Sequence, residues 1–133
     1  MSRLVVGVGA RRGAPAAEVL ELIRTALREA AHGPGSVVAL ATVDAKADEP
    51  GIVAAAATLG VPVRVYPAGV LARVPVPHPS GVARDATGTA SVAEAAALAE
   101  GGELLVPKTT SGEVGRPGRV TCAIVRLSVP LDP

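Results

Sequence analysis

Apolar residues fall into short β-branched runs that alternate with longer stretches of helical period. "RLVVGVG" (3–9) predicts a first strand, and "APAAEVLELIRTALREAAH" (14–32) a helix with Val19, Leu20, Ile23 and Leu27 on one face. Pro15 suits the first turn of that helix, and "HGPG" its end. "SVVALATVD" (36–44) predicts the second strand, and "ADEPGIVAAAATLG" (47–60) a helix with Asp48 and Glu49 near its start and Gly60 as terminator. "VPVRVYP" (61–67) predicts a third strand.

Periodicity then fades from Pro67 to Thr87, where Pro67, Pro75, Pro77 and Pro79 indicate a long loop, broken by a helical turn around "AGVLARV". "SVAEAAALAEGG" (91–102) predicts a helix opened by a Ser91–Glu94 capping box and stopped by Gly101 and Gly102. "ELLVP" (103–107) and "RVTCAIVRLSV" (119–129) predict strands joined by the polar "KTTSGEVGRPG". The order implies one α/β layered domain over 1–133: a mostly parallel sheet with helices packed on it and a C-terminal antiparallel hairpin.

Composition changes this picture in three places. Apolar residues make up 49 % of the 133, but Tyr66 stands alone as an aromatic. The core is therefore aliphatic, and a planar ligand is expected to be held by its rim rather than by stacking. A net charge of +1 gives no general nucleic-acid footprint. Cys122, in the apolar "VTCAIV", reads as a buried small hydrophobe, and one cysteine allows no internal disulfide. With no signal peptide and no run near the roughly 20 apolar residues of a membrane span, a cytoplasmic protein off the membrane is expected.

Candidate chemistry collects at the expected strand exits, where ligands of open α/β sheets bind. Gly7, Gly9, Arg11, Arg12 and Gly13 follow the first strand, Asp44 and Lys46 the second, and Lys108 the "ELLVP" strand. Gly88 and Ser91 precede the last helix. The chain has eleven Arg and only Lys46 and Lys108 as lysines, which points to places where a compact ammonium suits better than a planar fork.

"GVGARRG" admits two readings. Glycines before a helix start suit a nucleotide phosphate, with Asp44 at the ribose. The third glycine is one residue late for a dinucleotide fingerprint, however. Arg11 and Arg12 also match carboxylates bidentately. The plain alternative is a tight turn with two solvated arginines. Asp44, Lys46, Asp48 and Glu49 within six residues could support acid–base chemistry, or could simply be a charged helix start. His32 and His78 have no suitably spaced companions, so no metal is expected. No cofactor is implied.

Taken in order, "GVGARRG", "ATVDAKADEPG", "GTASVAEAAAL", "LLVPKTTSGEV" and "VTCAIVRL" resemble the CobE family, related to the C-terminal domain of CbiG, in cobalamin biosynthesis. The motifs run from Gly7 to Leu127. The resemblance implies a small α/β domain that handles precorrin or corrinoid tetrapyrroles, with other corrin-pathway enzymes as further partners. In CbiG-type proteins the implied activity is hydrolysis of cobalt-precorrin-5A, which opens a lactone and releases acetaldehyde. Catalytic and carrier roles both stay open. If the chain is a hydrolase, Glu49 or Asp44 is expected to activate water and Lys46 or Lys108 to hold the oxyanion. Arg11, Arg12, Lys46 and Lys108 would then face the rim carboxylates of the tetrapyrrole, with donors from the helix starts at Pro15 and Ser91. Where family members commonly carry a cysteine before the arginine pair, this chain has Ala10, so no thiol acts there.

Overall fold

The computed structural model describes residues 3–75, 92–113 and 116–127. The chain runs β1 (Leu4–Ala10), α1 (Ala16–Glu29), β2 (Val37–Val43), α2 (Pro50–Leu59), β3 (Val63–Tyr66), α3 (Ala68–Leu71), α4 (Val92–Leu98), β4 (Glu103–Glu113) and β5 (Arg116–Arg126). Among the described residues, no helix is long and apolar enough to cross a membrane.

The five strands form one sheet in the order β3-β2-β1-β5-β4. β1 pairs parallel with β2, and β2 with β3, while β5 runs antiparallel to both β1 and β4. The α/β class and the closing hairpin are as expected from the sequence. The sheet is mixed, however, because the hairpin enters through β5 and places it directly against β1.

Each face is covered for a reason visible in the residues. Val19, Leu22, Ile23, Ala26 and Leu27 of α1 repeat at helical spacing, and all are buried. With Ile52, Ala55 and Ala56 of α2, they cover Leu4, Val6, Val8, Cys122 and Ile124 of the sheet. α1 ends earlier than "HGPG". Ala31, at φ 60°, takes the left-handed position, and His32 and Ala31 donate N–H groups to Leu27 and Arg28. α2 stops at Gly60 (φ 74°), as its sequence predicts.

The other face is covered by α4, whose Ala93, Ala95, Ala96 and Ala97 are buried, with Leu71 of α3 alongside. Small residues let this helix approach β1 closely. A Cβ at Gly7 would land on the carbonyl oxygen of Ala93 and the amide of Ala97. Gly7 therefore lies inside a central strand under a helix. The structure gives it a packing duty rather than the ligand-loop place expected of it.

The largest departure is in the hairpin. Expected strands at 103–107 and 119–129 become Glu103–Glu113 and Arg116–Arg126. Lys108 is thus a residue within β4 and does not follow a strand exit. β4 is an edge strand, where polar residues can face water while the backbone stays paired, so hydropathy does not mark its true end. Expected bounds 47–60 and 91–102 likewise shorten to Pro50–Leu59 and Val92–Leu98. Ser91, Gly88 and most of the expected long loop lie outside the described residues.

Candidate functional site

In an open α/β sheet the crevice for ligands opens beyond the carboxyl ends of the strands, where the strand order reverses. Here successive elements move from β1 to β2 to β3 in one direction, and the hairpin returns on the other side of β1. The reversal falls at the carboxyl end of β1. The residues that leave the sheet there are Arg11, Arg12 and Gly13.

Those three form a turn closed by the Ala14 N–H donating to the Arg11 carbonyl at 3.0 Å. Gly13 has φ 84°, a left-handed value that suits the third position of such a turn. Three neighbours hold it. The Arg11 N–H donates to the Arg119 carbonyl on β5 at 2.8 Å. The Gly13 N–H donates to Glu49 Oε2 at 2.9 Å. Gly51, in the first turn of α2, packs where a Cβ would overlap the Ala14 carbonyl oxygen. The arginine side chains are both exposed, and neither is engaged in a hydrogen bond or ion pair among the described residues. The backbone of the turn is thus held on three sides, with both arginine side chains exposed.

Glu49 is 8 % exposed, just before α2. One oxygen takes the Gly13 N–H, and the other lies 4.0 Å from Lys46 Nζ. Expected as a base for water, it is bound into the scaffold of the turn. Asp44 opens the short 3-10 turn Asp44–Lys46 after β2, and its side chain is exposed. Lys46 is partly exposed, at 30 %. Of the acids in this segment, Asp44 and Asp48 are exposed and Glu49 is not.

Gly9 ends near the turn and its carbonyl lies 3.5 Å from the Thr121 hydroxyl. Lys108 is exposed on β4, and its backbone N–H donates to Glu94 Oε2 at 2.7 Å. Three strand steps separate β2 from β4, about 14 Å at usual spacing, so Lys46 and Lys108 do not converge on one small group. The nucleotide reading loses its best donor as well. The Gly13 amide, which would face a phosphate, is taken by Glu49.

Sequence reasoning missed a second acid. Glu18, in the first turn of α1, accepts from the Ser111 hydroxyl at 2.5 Å and from the Arg119 N–H at 3.0 Å, and pairs with the Arg119 guanidinium at 3.1 Å. The Ser111 bond first, then the Arg119 amide and guanidinium, hold its carboxyl below the usual glutamate value against the opposing effect of burial. Arg119, exposed beside Arg11, is a cation at the mouth that no motif indicated. Elsewhere the titratable groups serve the frame. Tyr66 donates to Glu100 at 2.6 Å, and burial and that bond push its hydroxyl up to about 12. Burial pushes the Cys122 thiol up to about 12, which removes it from thiolate chemistry near neutrality. Among the described residues, no three His, Cys, Asp or Glu are grouped to hold a metal ion.

A mixed five-stranded sheet, with a braced arginine-bearing turn at its reversal point, defines a small α/β domain. Residues 4–125 match the family described as Cobalamin synthesis G C-terminus, and the chain belongs to that family. It is 40 % identical over 113 residues to Protein CobE of Sinorhizobium sp., covering 81 % of this chain and 73 % of that protein. The crystal structure of CobE, a protein from the cobalamin (vitamin B12) biosynthetic pathway, superposes with a TM-score of 0.83 at 35 % identity, over 96 % of both chains. Cobalt-precorrin-5A hydrolase of Priestia megaterium is 34 % identical over 113 residues, which take in 84 % of this chain but 30 % of the hydrolase. The resemblance carried by the five sequence motifs therefore holds, and with it membership of a cobalamin-biosynthesis family.

Proposed function

We propose that the protein binds a polycarboxylate precorrin or corrinoid intermediate, with Arg11 and Arg12 gripping carboxylates on the rim of its macrocycle. The observation that carries this is the turn itself: two exposed guanidinium groups on a backbone held by Glu49, Arg119 and the Gly51 contact. A pre-set fork loses little entropy on binding a carboxylate. The wide separation of Lys46 from Lys108 suits a broad ligand with several anionic arms better than one small anion. Absence of aromatic platforms fits recognition from the rim.

Titration with hydrogenobyrinic acid, a metal-free polycarboxylate corrin, followed by absorbance, tests this reading. Arg11→Ala/Arg12→Ala is expected to weaken binding about 100-fold, as two charge-assisted contacts at a partly solvated site imply. It is also expected to flatten the salt dependence. Unaltered affinity in the double variant would remove the rim-carboxylate reading.

Membership beside a cobalt-precorrin-5A hydrolase supports a further step at the same mouth. In this reading Asp44, which is exposed, would take a proton from water, since Glu49 is bound to Gly13 and faces Lys46. Lys46 would steady the developing oxyanion. Acetaldehyde release from cobalt-precorrin-5A is the readout. Asp44→Asn is expected to abolish release by 100-fold or more while corrin affinity stays within about threefold. Binding without release in the unaltered protein assigns the carrier role instead.

A further inference from the structure

We propose that Glu18 is the positioning residue of the arginine turn, acting on it through the β4–β5 hairpin. This rests on the reading of the turn as the carboxylate-binding element. Glu18 contacts both strands of the hairpin at once: Ser111 on β4 through its hydroxyl, and Arg119 on β5 through amide and guanidinium. Ser111 Oγ also accepts the Val120 N–H at 3.1 Å, which locks the two strands to the same carboxylate. Close by, a Cβ at Gly118 would collide with the Ser111 carbonyl, so the hairpin is narrow at this level.

The far side of the Arg119 residue completes the link. Its N–H is held by Glu18, and its carbonyl accepts the Arg11 N–H. One residue thus separates the Glu18 carboxylate from the backbone of the first arginine. Glu49, 36 positions along the chain, holds the turn at Gly13, so each end of the turn is tied to an acid, directly at Gly13 and through Arg119 at Arg11.

The sign of one effect separates positioning from simple charge. A carboxylate beside a polyanion site repels the ligand, so its field alone predicts that removing Glu18 tightens binding. Positioning predicts the reverse, because an arginine turn free to move must be ordered again by each ligand.

The experiment measures hydrogenobyrinic acid binding and amide exchange in the intact chain for Glu18→Ala, Glu18→Gln and Ser111→Ala. Glu18→Ala is expected to weaken binding about tenfold and to speed exchange at the Arg11 amide about tenfold relative to the Val6 amide in the core. Glu18→Gln keeps an acceptor for Ser111 and Arg119, and is expected to stay within about threefold of the unaltered protein in both readouts. Ser111→Ala supplies the same local test if Glu18→Ala does not fold. Equal or tighter binding by Glu18→Ala, with Arg11 exchange unchanged, overturns the proposal. If the unaltered protein does not bind the corrin, the proposed function falls, and the Arg11 exchange rate alone decides whether Glu18 sets the turn.

Discussion

Gly7→Ala is expected to cost about 3 kcal/mol and lower the thermal midpoint by roughly 10 °C, although it adds a single methyl group. The added Cβ meets backbone, the carbonyl of Ala93 and the amide of Ala97, and neither can rotate away. α4 must lift from β1 and open the alanine-lined interface around Ala93 and Ala97. Gly9→Ala is the matched control. Its Cβ would press only on the Thr121 hydroxyl, with Val92 Cβ at 3.8 Å, so a small side-chain shift relieves it. The expected cost is about 1 kcal/mol or less. A dinucleotide-type loop predicts no such ranking, with both changes sparing the fold and damaging ligand binding. Thermal melts of the two variants, read beside corrin affinity, separate these accounts. Equal midpoints for Gly7→Ala and Gly9→Ala would sink the helix-packing explanation.

Glu49→Ala is expected to cost about 2 kcal/mol, and Glu49→Gln less than about 1 kcal/mol. Alanine leaves the Gly13 N–H without its acceptor and Lys46 without its acid neighbour, at a position that water reaches poorly. Glutamine keeps a carbonyl oxygen for Gly13 and gives up only the pairing with partly exposed Lys46, the weaker of the two contacts. The same pair of variants distinguishes scaffold from base. A scaffold role leaves Glu49→Gln with near-normal corrin binding and acetaldehyde release. A general-base role abolishes release in Glu49→Gln while binding persists. Denaturant unfolding and the release assay on one set of preparations measure both. The geometry favours the scaffold, because Glu49 is largely buried, with one oxygen accepting from Gly13 and the other facing Lys46.

Gly7 and Glu49 mark where reading along the chain stops, against what it reaches. The period-2 and period-3.6 patterns are local properties, so β1, α1, β2 and β3 were visible within a few residues of their ends. Gly60 as a stop was visible because the left-handed conformation favours glycine. The family was legible for a related reason. Its motifs are short strings whose order along the chain needs no knowledge of what touches what.

Tertiary structure alone decided the rest. Nothing in "KTTSGEVGRPG" reveals that β4 continues through Lys108 to Glu113, because an edge strand keeps its ladder on one side and needs no apolar face on the other. Nothing local tells that β5 lies between β1 and β4, yet that order brings Arg119 beside Arg11. The braces of the turn join residues 36 and 101 positions apart, Gly13 with Glu49 and Glu18 with Arg119. A hydrogen bond depends on separation in space, and only the folded sheet sets that. That two arginines follow the first strand is written in the chain. Which acids hold them, and toward which face of the molecule, was settled by the packing of helices and hairpin around the end of β1.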